Sequence, residues 1–207
     1  MCGRYVVTNA VTKTKGLVKS AIQIEDNENY NAHPYQNLPV IKKYTNGSAL
    51  EKLKWGIVPS WSKKKDFKPL INSRLETIDE KISFKKLIKL KRCIAIADGF
   101  YEWKRTEKEK KPFFFQREDK KIIYFAGIYD ENEFCLITEQ ASENVLEIHH
   151  RQPVILNQKD LKSYLDLQLD GSAFLKEAKK RRLEFYEVSK DVNKPSNNSI
   201  SLIQSLN

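Results

Sequence analysis

Residues 92–103 read RCIAIADGFYEW, and the fold can be reasoned outward from them. Cys93-Ile94-Ala95-Ile96-Ala97 is apolar at both parities, so a strand here shows an apolar side chain on each face. Such a strand belongs in the middle of a sheet, covered from both sides. Asp98-Gly99 then interrupts the run, and the chain delivers Glu102 into a nest of Phe100, Tyr101 and Trp103. A carboxyl group among aromatics is partly desolvated, which raises its pKa and suits it to proton transfer.

Short β-type runs surround this centre: Arg4–Thr8, Leu38–Tyr44, Leu50–Ile57, Phe113–Gln116, Ile122–Ile128, Phe134–Thr138, Val154–Leu156 and Leu183–Val188. They are rich in Val, Ile, Phe and Tyr and are bounded by Gly, Pro, Asn or charge clusters. Helical patterns are fewer: Val11–Ala21, Ser83–Lys91, a turn around Glu143–Ile148, Lys159–Leu167 and Ser172–Arg182. The expected fold is α+β, a mostly antiparallel curled sheet, barrel-like, with a few peripheral helices. With no repeat and no Gly/Ser linker, residues 1–207 are expected to form a single domain.

Composition narrows the function. The chain has 207 residues, 40% of them hydrophobic, which is enough for a sizeable core. No run of about 18 apolar residues occurs, so no spanning helix and no membrane partner are expected. The first residues lack the apolar core of a signal peptide. Three cysteines lie far apart with no C-x-x-C pair. That argues against a disulfide framework and a metal knuckle, and it places the chain in a reducing, cytoplasmic compartment. No G-x-G loop is present among the seven glycines, and no metal or cofactor is expected. Lys and Arg number 37 against 27 Asp and Glu, a net +10 that favours polyanions, although solubility alone is the bland alternative. The basic residues cluster at Lys63–Lys65, Lys85-Lys86, Lys89, Lys91-Arg92, Lys108–Lys111 and Lys179–Arg182, and several runs alternate with Glu, as solvated faces do.

The chemistry begins at Met1-Cys2-Gly3-Arg4-Tyr5. Removal of Met1 leaves Cys2 with a free α-amine beside its thiol, a 1,2-aminothiol. Its amine condenses with an aldehyde to a Schiff base, and its thiolate then closes a thiazolidine ring. Reference pKa values of about 7.7–8.0 for the amine and about 8.5 for the thiol keep both reactive forms accessible near neutrality. Standing alone, Cys2 reads more readily as a small core residue. Four segments extend the pattern. LKWGIVPSW (residues 53–61) flanks Gly56 and Pro59 with Trp55 and Trp61. INSRLET (71–77) spaces Asn72, Arg74 and Glu76 two apart, so that an extended segment presents them on one side. Glu102 lies in the opening stretch, and IHHRQPVIL (148–156) sets His149 and Arg151 beside an apolar run.

In this order the segments resemble the SRAP family, proteins named for an SOS-response-associated peptidase that crosslink abasic sites. The resemblance runs through Met1–Arg4, Tyr30–Pro34, Trp55–Trp61, Asn72–Thr77, Asp98–Trp103 and His149–Pro153, nearly the whole chain. It implies a covalent abasic-site sensor acting on single-stranded DNA as a monomer, cytoplasmic or nucleoid-associated. Cys2 matches the family's nucleophile, Glu102 its catalytic carboxylate, His149 its acid/base residue and Asn72 the residue that orients Cys2 and the sugar. Arg4, Arg74 and Arg151 match phosphate-side positions and Asn31 the Tyr-Asn motif. Trp55 and Trp61 match apolar walls against flanking bases, and Thr138 a site-lining Thr. The chain departs from the pattern with Gln152 for Met, Ser73 for Ala, and His33 for Ala. Two rival readings use the same residues: a cysteine (auto)peptidase built on Cys2, Glu102 and His149, and a non-covalent single-strand-binding module.

Overall fold

The structure is a computed structural model and describes residues 2–62 and 66–206; the Lys63–Lys65 cluster lies outside them. In chain order the strands are β1 (Tyr5–Thr8), β2 (Ser20–Ala21), β3 (Glu28–Ala32), β4 (Asn37–Tyr44), β5 (Gly47–Trp55), β6 (Asn72–Arg74) and β7 (Arg92–Ala97). They continue as β8 (Gly99–Arg105), β9 (Lys110–Arg117), β10 (Ile123–Asp130), β11 (Glu133–Gln140), β12 (Arg151–Pro153), β13 (Ile155–Leu156) and β14 (Leu183–Glu187).

The larger sheet runs β12-β11-β10-β7-β4-β5-β2, and a further parallel pairing joins β11 to β5. That pairing closes β11, β10, β7, β4 and β5 into a ring, so the expected barrel is present. All six residues of β7 are buried between β10 and β4, as two-sided apolarity requires. The smaller sheet runs β14-β9-β8-β1-β3. One residue, Asp98, separates β7 in the first sheet from β8 in the second. Gly99 makes that crossing possible, because a Cβ there would lie 2.5 Å from the Phe115 carbonyl oxygen and nearer still to the Phe114 ring.

Aromatic side chains join the two sheets. The Tyr5 ring of β1 lies 5.1 Å from Trp55 and 5.8 Å from Phe125, and Phe100 of β8 lies 5.9 Å from Phe125 and stacks on Phe115 at 5.0 Å. Pairs of this kind contribute about 0.5–1.5 kcal/mol beyond area burial. A second, smaller core of Val6, Tyr101, Phe114, Val188, Val192 and Leu202 lies on the other face of the small sheet, with Trp103 packed against it. Strand alternation therefore splits the expected nest. Glu102 is directly opposite Phe113 and shares a face with Phe100, while Tyr101 and Trp103 point to the opposite side.

The helices are short. The pattern expected over Val11–Ala21 is helical only at Ala10–Thr14, because Gly16 at φ +84 ends it and Ser20–Ala21 pairs with β5. The pattern over Ser83–Lys91 condenses to Leu87–Leu90, that over Lys159–Leu167 to Leu161–Leu165, and that over Ser172–Arg182 to Gly171–Glu177, whose N-terminus is capped by Asp170. Among the described residues no helix is long and apolar enough to cross a membrane.

Candidate active site

Cys2 lies just before β1. The ladder between β1 and β8 pairs Tyr5 with Phe100 and Val6 with Gly99, and Tyr101 N–H donates to the Arg4 carbonyl at 2.9 Å. Continuing that register backwards brings Gly3 and Cys2 alongside Glu102 and Trp103. From the other sheet, β6 runs parallel to β11 with Asn72 opposite Leu136, and Asn72 Nδ2 donates to the Cys2 carbonyl at 2.9 Å. Two sheets thus converge on one residue at the amino terminus.

The electrostatics follow from burial. Cys2 has no exposed surface, and its thiol is pushed far above its ordinary range, first by desolvation and then by the charge of Glu102. Glu102 is 3% exposed, and desolvation raises its carboxyl too, with the amino-terminal charge acting in the opposite direction. His149 is lowered to about 4, first by desolvation and then by that same amino-terminal charge. Its Nδ1 lies 3.0 Å from the Arg151 backbone nitrogen and 3.1 Å from the Arg151 carbonyl oxygen, which orients the ring. The set therefore rests as a thiol, a poorly hydrated carboxyl group and a neutral imidazole. That combination is chemically able to exchange protons near neutrality.

Not every expected contact residue faces solvent. Trp55 is fully buried, its indole N–H donates to the Ile71 carbonyl at 2.9 Å and its ring stacks on Phe134. The expectation that it walls a base is corrected: Trp55 is a core residue joining the sheets. Trp61, by contrast, is 54% exposed, edge-on to Phe67. Gly56 beside Trp55 has φ +128, and a Cβ there would meet Pro69 at 3.0 Å, which accounts for the Trp-Gly pair.

Arg4 Nη1 donates to Asn31 Oδ1 at 2.6 Å and to the Val192 carbonyl at 2.7 Å. Asn31 is buried and donates to the carbonyls of Lys194 and Asn197 at 3.1 and 2.8 Å. These two residues, expected at the DNA, instead clasp the segment after β14. Thr138 is also fully buried, its hydroxyl donating to the Ser73 carbonyl at 3.0 Å. Arg151 is buried in a bidentate pair with Glu76 at 2.7 and 2.9 Å and also donates to the Thr138 carbonyl at 2.8 Å. Its two terminal nitrogens are already engaged by Glu76 and Thr138, and its backbone N–H reaches His149. Glu76 reaches Arg151 because the chain turns into a 3-10 helix at Leu75–Thr77, so it does not continue the Asn72–Arg74 face.

Arg74 remains exposed and pairs with no acidic side chain among the described residues. With Gln140, Leu146 and His150 it lines a cleft of about 440 Å³. The departures are accommodated structurally. Gln152 is buried and accepts from Ser142 N–H and Oγ–H at 2.9 Å each, which fixes the turn leading into His149. Ser73 is buried, and the His33 ring lies against the Pro34 carbonyl. Sequence reasoning did not single out Glu76 or Gln152 as supports of His149. Among the described residues no group of His, Cys, Asp and Glu has the arrangement of a metal site.

A family model described as SOS response associated peptidase (SRAP) matches residues 1–195. Abasic site processing protein YoqW of Bacillus subtilis (strain 168) is 34% identical, the match covering 99% of this chain and 100% of YoqW. Abasic site processing protein YedK of Escherichia coli (strain K12) is 29% identical over 99% of each chain. A solved structure of a protein from Bacteroides thetaiotaomicron has the same fold, with TM-score 0.83 and 22% identity over 99% of each chain. The likeness spans both sheets and all the segments that converge on Cys2, and the chain belongs to the SRAP family.

Proposed function

We propose that this chain processes abasic sites in DNA by capturing the lesion's aldehyde covalently in single strands, through the aminothiol that Cys2 presents once Met1 is removed. The names of the relatives support abasic-site processing. One observation carries the covalent reading: Asn72 holds the Cys2 carbonyl at 2.9 Å while the buried Glu102 acts electrostatically on the Cys2 thiol. A purely structural cysteine needs neither.

The resting charges suggest the order of steps. The thiol is suppressed, so the α-amine attacks first; an N–C bond forms and water leaves, giving the imine. The S–H then adds across C=N. The new S–C bond closes the thiazolidine, and the thiol proton ends on nitrogen, relayed by Glu102. Aldehyde and aminothiol together yield ring plus one water, with no oxidant or cofactor. Holding the aldehyde beside Cys2 makes both attacks effectively intramolecular, a large rate factor. His149 is suited to exchange a proton with the opening sugar oxygen. Arg74 and Trp61 offer a phosphate contact and an apolar surface for a neighbouring base. In this reading the chain acts as a monomeric single domain in the cytoplasm.

Incubation with abasic and intact single-stranded oligonucleotides, resolved on a denaturing gel, tests the proposal. A heat-stable shifted band is expected with the abasic strand alone. No band from protein verified to begin at Cys2 contradicts it; cleavage of a peptide substrate without a band would favour the peptidase reading.

A further inference from the structure

At the far end of β1 from Cys2, on the order of 20 Å away along six residues of extended chain, lies a trough of about 770 Å³. Its cations fall into two groups. Lys13 pairs with Asp98, Arg117 with Asp119 and Lys120 with Glu184. Lys15, Lys121, Lys159 and Arg181 line the same trough and have no acidic partner among the described residues. Four cations that form no salt bridge among the described residues, of which Lys121 lies within electrostatic reach of Asp119, concentrate positive potential around one concavity. Their sequence positions span four separate segments, so a helix face does not explain their convergence.

We infer that this trough is a phosphate-binding site remote from Cys2, engaging the backbone of a nucleic-acid strand outside the lesion-binding end. The floor supports a backbone contact rather than base stacking: Gly16, Leu17 and Ile122 are small or aliphatic, and Tyr124 is buried. Free polyphosphate shares the recognition chemistry and is the other source to distinguish. The inference does not depend on covalent capture at Cys2.

Lys15→Ala, Lys121→Ala, Lys159→Ala and Arg181→Ala are combined in one variant. A second carries only Lys121→Ala and Lys159→Ala, whose side chains are exposed, so that the test survives a folding defect in the first. Affinity for a long intact single strand is measured across salt concentrations, and melting temperature is measured with and without inorganic tripolyphosphate. Each lost phosphate contact lowers the log–log salt slope by about 0.7. The fourfold variant is expected to show a slope shallower by about 1.4 to 2.8 and the double variant about half of that. If instead tripolyphosphate stabilises wild type and neither variant, with unchanged slopes, the phosphate site stands and its source is a free polyphosphate. Equal slopes together with equal tripolyphosphate responses overturn the inference. Crosslinking to a short abasic strand is recorded in parallel; its absence in wild type would count against Cys2 capture and leave the trough result intact.

Discussion

Two regions of this protein bury thiols, and their contrast shows what the chemistry proposed for Cys2 would need. Cys93 on β7 and Cys135 on β11 sit in the barrel wall with no exposed surface. Burial suppresses both, and Cys135 is pushed up to about 12. Cys2 is equally buried and its thiol is likewise pushed up, but Asn72 holds its carbonyl and Glu102 is in electrostatic reach. Burial by itself makes a thiol inert. What separates the two regions is the Asn72 and Glu102 environment of Cys2, and in the proposed reading its chemistry starts from the α-amine that removal of Met1 would expose.

The largest expected effect sharpens this contrast directly. Cys2→Ala should abolish the heat-stable crosslink. Cys93→Ala and Cys135→Ala should leave crosslinking intact and cost about 1–3 kcal/mol of stability, read by denaturant unfolding. A barrel-wall variant that loses crosslinking while remaining folded would erase the distinction.

Next in size is Glu102→Gln, which keeps shape but cannot carry a proton. Crosslinking should slow by roughly 10²–10⁴, with affinity for an intact strand unchanged; stopped time courses at several pH values give the rate. The same change should affect stability with a definite sign. Glu102 has a raised pKa in the fold, so its favourable contribution is present below the ordinary carboxylate range and lost as pH rises through the raised value. The variant should therefore gain melting temperature over wild type toward alkaline pH, and that gain should vanish in acid. Equal rates and parallel melting profiles would make Glu102 an ordinary buried side chain.

The two motif tryptophans give a smaller split. Trp55→Ala should cost about 3–5 kcal/mol of stability, because it empties the junction between the sheets. Trp61→Ala should leave unfolding nearly unchanged and weaken single-strand affinity by about 1–3 kcal/mol. Calorimetry and fluorescence anisotropy read the two, and a reversal of the pattern would restore the assignment of Trp55 to the DNA.

The smallest effect concerns His149. Its pKa is lowered from 6.5 to about 4, so the stability it contributes is present above 6.5 and lost as pH falls through 4. His149→Asn should flatten the decline of melting temperature across that window. An unchanged slope would mean that the imidazole is not desolvated in solution.

How much of this was legible beforehand depended on whether the signal was local. The two-sided apolar run at Cys93–Ala97 identified the central strand, and the runs of Val, Ile and Phe located the other barrel strands. β3 (Glu28–Ala32) was not legible, since Asn and Glu are poor strand formers and the segment pairs with β1; β6 (Asn72–Arg74) was legible as an extended segment but not in its pairing with β11. β8 was hidden because the crossing between sheets takes only Asp98. The site residues were found through their motifs, but their exposure was not. The Arg4–Asn31 clasp joins residues 27 apart to a segment beyond 190, and no local pattern encodes it. The Trp55 and Trp61 side chains look alike in sequence, and only the ring closure of β5 onto β11 buries the first.

The intact mass of the adduct with an abasic oligonucleotide tests the central claim most directly, followed by proteolysis to locate the link. The expected mass is that of the chain beginning at Cys2 plus the oligonucleotide minus one water, formed without added reductant, with the link on the peptide that starts at Cys2. An adduct that retains Met1, or that maps to a lysine and needs borohydride to survive, would contradict aminothiol capture.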